Sequence, residues 1–543
     1  MNLKRRKKIK QKKIRRLLLG MMSASLASGL LVLHTDVRHA AAAESDAYST
    51  DLPLRTLIEN LQGQVNWQAA EGRVTFAASG MSGSFQLGRT ALTLNGRTQK
   101  MDAAPVVRDG RVHLSPAAQQ LLMNATAAAQ NHTGFKLVSS FAMPSGKAEI
   151  ASSTPDGQRL IVTEADEGSI SVLDISDVAK PFLLKTVSFK SLSAAAEVTS
   201  VTAAPDGRYA LAVIRTGDHK LAANPGILAV VDLDTYQIAK TYPLGIGPDS
   251  IAISPDGRYA VIAIEDEELD PKTEEFDYPN AKRPGSIAVM TFTGSDALKG
   301  ELTDLPVDLS GVKGAIYPHE PQPEYVAINE AGTMAAVTLQ ENNVIALVDL
   351  PTRKITKMFA LGTTQHAADV KEDGKAAFTD KLTARFEPDG IAFSPDGQYL
   401  ITANEGDLGK NEFDDGVRPG GRNIAVWDLD GRRIHDSMNW IDEAAARAGI
   451  YPDDRSPNKG SEVENLTVST VGGQSLLAVA AERADAILFF DVKDAAKPAY
   501  LGLIQTAGES PEGIHRVHGR NLFVSADEGT GTISFYGPDL AGR

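Results

Sequence analysis

Seven segments of the sequence share one phrase. Aligned on its turn, they show one column that is acidic in six of them: Glu149, Asp249, Glu324, Asp389, Glu464 and Glu512. In the second segment the column holds Thr199, with Glu197 nearby. A carboxylate repeated at one place in a repeated unit has two physical uses. Crowded together, such groups repel one another and their pKa values rise until a cation joins them. A hard cation held by oxygen donors in flexible loops, as is common outside cells, is Ca2+. Alternatively each carboxylate caps backbone N–H groups of its own turn, once per repeat, and needs no ligand. No DxDxDG loop sharpens the metal reading, so both remain open.

Two long loops add a second set of candidates. Residues 265–286 and 404–423 each contain Glu-Phe-Asp followed by Arg-Pro-Gly. Long loops on one face of a repeat scaffold usually carry binding. The candidate binding residues are therefore Glu275, Asp277 and Arg283 in the first loop and Glu405, Asp407, Asp414 and Arg418 in the second. Each Arg either orients an anionic group or pairs with an Asp of its own loop.

Catalytic constellations are poor. G-x-S-x-G, H-E-x-x-H and P-loop patterns are missing from the sequence, so catalytic residues stay unknown. His515 and His518 are three apart, which on a regular strand puts them on opposite faces. Asp249–Ser250 resembles a phosphatase nucleophile pair, but Ser250 stands where other repeats have Gly390 and Gly513, which points to a turn. His319–Glu320 is the one His motif kept as a candidate.

The elements that must position these residues are legible in the repeat itself. Each copy gives an alternating strand, a Pro-Asp-Gly-type turn, a second apolar strand and a third ending in Asp. The copies start near residues 148, 198, 248, 323, 388, 463 and 511. A fourth strand follows in several, such as LLKTVSF, QIAKTYPL, ITKMFAL and YLGLIQT. Seven four-stranded units predict a mainly β chain, a seven-bladed β-propeller over residues 135–543. First strands line the central channel of such a fold, so the acidic column becomes a ring at one mouth. The seventh copy lacks a fourth strand, while FKLVSSFAM (135–143) precedes the first copy. That segment is expected to complete the last blade and hide its edge.

Residues 51–122 read as a small α+β domain: a helix over Leu54–Leu61, a strand pair around AAEGR, a hairpin at Asn95–Gly96 and a short helix after Ser115. Residues 123–134 are a small, polar linker. Residues 1–43, with ten Lys or Arg in the first sixteen, an apolar stretch and an Ala-rich end, read as a cleaved signal peptide rather than an anchor. That segment holds eleven basic residues and one acid, so cleavage takes the formal net charge from −14 to −24. A surface this acidic excludes a nucleic-acid partner bound through its phosphates. The chain has no cysteine, which excludes disulfides, thiolate catalysis and Cys-built zinc sites.

Two resemblances follow from these motifs. "PLR.L.E.L...V.W", "TLNG" and "D.APVV.DGRV.L" resemble the copper amine oxidase N-terminal-like, or stalk, domain of secreted proteins of Gram-positive bacteria. That resemblance implies an accessory unit without copper. The "P.xIA.SPDG" phrase resembles YVTN/lactonase-like propellers, and LDISDVAKPFLL and FDVKDAAKPAYL resemble the LVIVD repeat of surface proteins. With "PDGIAFSPDGQYLITANEGD", the propeller is most similar to the choice-of-anchor I type. Trp-Asp occurs once, at Trp427–Asp428, so this is no WD40 repeat array. The resemblance implies an exported, surface-associated binding module whose acidic face takes an extracellular protein, glycan or small molecule, with no stable membrane insertion after cleavage. The alternative is a calcium-dependent hydrolase, phytase-like or lactonase-like, working at the same face.

Overall fold

The computed structural model describes residues 53–60, 64–78, 81–115, 117–119, 121–122, 132–217, 224–266, 283–406 and 416–539. Residues 1–43, read from the sequence as a signal peptide, and residues 123–131 of the expected linker lie outside the described residues. Among the described residues no helix is long and apolar enough to cross a membrane.

The small domain has a helix, Leu54–Asn60, a further helical stretch at residues 117–119 and 121–122, and a five-stranded meander, Gln64–Gln68, Arg73–Ala78, Met81–Gln86, Ala91–Leu94 and Arg97–Lys100. Leu94 pairs with Arg97, leaving Asn95 and Gly96 as a two-residue loop with φ of 47° and 78°. Two positive φ values match the tight hairpin turn that Asn-Gly favours. Leu54 and Ile58, one turn apart, pack on Val74, Phe76, Phe85 and Leu92 from alternate strand positions.

Residues 135–539 form seven four-stranded antiparallel sheets. In blades 1 to 7 the innermost strands are Ala151–Ser153, Glu197–Ala203, Pro248–Ile253, Pro323–Ile328, Ile391–Phe393, Val463–Val471 and Pro511–Arg516. Each innermost strand lies against the next, and the seventh lies against the first, which closes the ring around a central channel. The outer strand of blade 7 is Phe135–Ala142, paired with Thr532–Pro538 from Ala142↔Thr532 to Phe135↔Pro538. The first and last strands of the propeller are thus sewn into one sheet, as the sequence predicts.

Blades stack face to face, so their middle strands are apolar on both sides. Leu160 packs toward blade 7 and Ile161 toward blade 2, and both are fully buried. Seven apolar cores result, one per blade junction. The recurring Pro-Asp-Gly turn closes the first two strands at one end. Asp156, Asp206, Asp256 and Asp396 accept from the N–H two residues on, and Gly157, Gly207, Gly257 and Gly397 take φ of 64° to 71°. The acidic column sits at the opposite end of the same first strands.

Two elements interrupt the repeat. A hairpin, Thr363–Ala368 with Asp380–Arg385, precedes blade 5, and a helix, Trp440–Ala448, follows it. They pack together through Phe378 and Tyr451, ring centroids 5.3 Å apart, and through the Gly374 N–H donating to Asp453 at 2.6 Å.

Candidate functional site

The acidic column is placed by backbone irregularity. In blades 2, 3, 4, 6 and 7 the pairing of the first two strands slips at its start: between Val198 and Ser200, Pro248 and Ile251, Pro323 and Val326, Val463 and Leu466, and Pro511 and Gly513. Thr199, Asp249, Glu324, Glu464 and Glu512 are the residues of these bulges. A β-bulge re-aims the side chain that sits in it and ends regular pairing. In blades 1 and 5 the paired strand begins two residues later, at Ala151 and Ile391, leaving Glu149 and Asp389 before it. The bulged backbone also joins neighbouring blades. The Thr199 hydroxyl donates to Asp249 O at 2.7 Å, Thr338 to Asp389 O at 3.0 Å, and Gly390 N–H to Glu464 O at 3.2 Å.

Brought to one mouth, the carboxylates hold one another's acidity down. Burial, then the fields of Asp389, Glu341, Glu265 and Asp249, push Glu324 well above the carboxylate range. Burial followed by Glu405, Asp389, Glu482 and Glu512 does the same to Glu464. Burial, then Glu149, Glu528, Glu482 and Asp389, raises Glu512. Asp389 is raised by burial, Glu405 and Asp249. Glu149 is pushed up to about 8 by burial, Glu528, Asp166 and Glu197. Each of these five carboxyls lies in the field of other acids of the mouth, and all but Asp389 remain partly open to solvent.

A second acidic column backs the first. The residue one step past the end of the second strand is Glu265, Glu405, Glu482 and Glu528 in blades 3, 5, 6 and 7, with Gln340 in blade 4; in blade 2 the aligned residue, Arg215, is the last of that strand. Arg215 bridges Glu265 at 2.7 Å, Asp249 at 3.3 Å and Glu197 at 3.9 Å. Across the mouth, Asp389, Glu405 and Glu464 present oxygens all within 4.8 Å of one another, and so do Glu405, Glu462 and Glu482. The Lys459 ammonium is bonded to Glu405 there. Burial works against the charge of Lys459, but Glu405, Glu462 and Glu464 outweigh it and its pKa is raised.

Of the predicted loop residues, Glu275, Asp277, Asp407 and Asp414 lie outside the described residues. Glu405 joins two ring carboxylates, as above. Arg283 pairs with Asp266 of its own loop at 3.0 Å, which is the intraloop pairing the sequence allows. Arg418 donates to the Pro457 carbonyl at 2.5 Å, and its backbone pairs with Thr383 and Arg385; Asp407 and Asp414 of its own loop are outside the described residues. His319 is exposed beside the buried Glu320. The expectation that His515 and His518 point apart is wrong. The strand ends at Arg516, the chain turns, and both rings reach the Ser153 hydroxyl at 2.9 Å, with centroids 5.4 Å apart. Burial lowers both, His515 to about 3, so they are neutral hydrogen-bond partners at the blade 7–blade 1 seam.

Two family models match the chain. That of the choice-of-anchor I domain matches residues 149–419 and 408–495, from blade 1 into blade 6. That of the copper amine oxidase N-terminal domain matches residues 34–133. No curated protein matches. Among solved structures, the β-propeller domain of Myceliophteria thermophila Cps50 (Swd1) is similar with a TM-score of 0.46 and 10% identity, over 74% of this chain and 99% of that one. Kuenenia stuttgartiensis hydrazine synthase is similar with a TM-score of 0.45 and 13% identity, over 73% and 96%. The small domain's donors do not fit a copper ion. His113 is the one imidazole of residues 51–122, and the thioethers there, Met81 and Met101, are buried in its core.

Proposed function

The chain belongs to the choice-of-anchor I domain family, a propeller module of the cell surface, and on that premise we propose that its acidic channel mouth is a cation-assisted binding site. The ion is Ca2+. Bridged by the ion, the mouth binds the oxygen groups of an extracellular protein, glycan or small molecule. The supporting observation is the convergence of Glu149, Asp249, Glu324, Asp389, Glu464 and Glu512 on one opening. There burial and mutual repulsion raise the pKa of five of them. A divalent ion relieves that repulsion, and Ca2+ accepts six to eight oxygens in flexible geometry. Turn caps behave differently: a cap is bonded to its own backbone N–H groups, as Asp256 is to Arg258 N–H, and its pKa is lowered.

The test is a melting curve of the protein in chelator and in calcium. Calcium at hundredfold excess over its Kd contributes about 2.7 kcal/mol, and changing Glu149 and Glu512 together to Gln removes the effect. Repulsion without a specific site gives another result. The Gln pair then stabilises the protein, and monovalent salt matches calcium by screening. Indifference to calcium and chelator, with a destabilising Gln pair, makes the carboxylates turn caps.

A further inference from the structure

The mouth is not uniformly short of positive charge. Lys459 is outside the repeat, in the segment that follows the Trp440–Ala448 helix, and its side chain is 12% exposed. The backbone leading to it is held to an unusual degree. Arg422 donates to the carbonyls of Ser456 at 2.9 Å and Asn458 at 2.6 Å, and Arg418 donates to that of Pro457 at 2.5 Å. Three successive carbonyls before Lys459 are thus taken by guanidiniums from one stretch of blade 5. Arg422 is itself buried, donates to Asp369 O at 2.9 Å and lies 4.0 Å from Asp442. The segment is braced so that one ammonium, with three donors, is delivered among Glu405, Glu462 and Glu464. Glu462 is claimed in addition by Arg455 and by Arg483 at 2.8 Å.

We propose that Lys459 is a built-in counter-ion whose ammonium takes the place a divalent ion would have between blades 5 and 6. This sector of the mouth is then closed to metal in the native chain. Any exchangeable ion is confined to the remaining ring, around Glu149, Glu324 and Glu512; that last clause rests on the reading of the mouth as a cation site. The argument is one of geometry. Asp389, Glu405 and Glu464 place oxygens at the spacing of a single ion's shell, and the chain seats its own cation against them. Arg215 does the same between blades 2 and 3, with Glu197, Asp249 and Glu265.

The experiment compares melting midpoints of the full chain, of Lys459→Met and of Lys459→Met with Glu405→Gln, each in chelator and in millimolar calcium chloride. Lys459→Met is expected to melt several degrees lower in chelator and to gain more from calcium than the native chain does. Adding Glu405→Gln is expected to remove that extra gain and to recover part of the loss in chelator, because it relieves the repulsion that the missing ammonium leaves. A calcium gain in Lys459→Met no larger than native overturns the proposal, as does a further loss on adding Glu405→Gln. If Lys459→Met does not fold, Lys459→Gln is read in its place, and a calcium gain in it no larger than native overturns the proposal. A native chain indifferent to calcium sinks the reading of the mouth, whereas the extra gain in Lys459→Met judges the counter-ion separately.

Discussion

Replacing Glu149 by Gln should stabilise the protein in alkaline, chelated buffer and leave it unchanged in acid. Glu149 has its pKa pushed from 4.5 to about 8, first by burial and then by Glu528, Asp166 and Glu197. A carboxyl raised in the folded state favours folding by its neutral form. Its contribution is complete below the unfolded pKa and is lost as pH rises through the folded one. Across the window from 4.5 to about 8 the loss is at most about 5 kcal/mol, at about 1.36 kcal/mol per pH unit. Channel water reaches Glu149, which is partly exposed, and its screening brings the expected effect to roughly 2–3 kcal/mol. For a cooperative unit of this size that is a Tm difference of about 2–6 °C. Differential scanning calorimetry of both chains at pH 4.5, 6.5 and 8.5, in chelator, reads it. The midpoints should coincide at pH 4.5, with the variant ahead at pH 8.5. A variant that melts lower than native at every pH would show Glu149 to be a structural acceptor and refute the reasoning.

Arg215→Met leaves Glu265, 7% exposed, without its guanidinium. Breaking such a pair costs about 3–5 kcal/mol, and Glu265→Gln in the same chain should restore part of the midpoint. Deleting residues 135–143 removes the outer strand of blade 7 and should lower the calorimetric midpoint sharply, because closure couples all blades; an unchanged midpoint contradicts the seam. Gly513→Ala places a Cβ 2.4 Å from Glu149 O. The innermost strands of blades 7 and 1 must then part, at about 1–3 kcal/mol in denaturant titration, whereas a neutral outcome contradicts the close approach.

How much of this was legible depended on whether a residue belonged to the repeat. Blade number, the closing strand and the acidic ring all follow from alignment, because each blade solves the same packing problem and writes the same residues at the same places. The bulges that aim the ring are not written in residue type. Asp249 and Ser250 read as strand or turn, and only the slipped pairing with residues 262–264 shows the irregularity. The second acidic column was visible in the same alignment, one strand further on, and its exception, Arg215, marks where the chain supplies its own cation. Lys459 was beyond reach, since it sits in an insertion with no periodicity and its role comes from Arg418 and Arg422 gripping carbonyls. The histidine pair was misread because strand alternation was extended past Arg516, where the strand ends.

The most direct test of the account is the calcium content of the purified protein after exhaustive dialysis against metal-free buffer containing micromolar calcium, measured by plasma emission spectroscopy beside the Glu149→Gln, Glu512→Gln chain. The account predicts calcium retained in stoichiometric amount by the native protein and lost from the double variant. Equal, background-level calcium in both would contradict it.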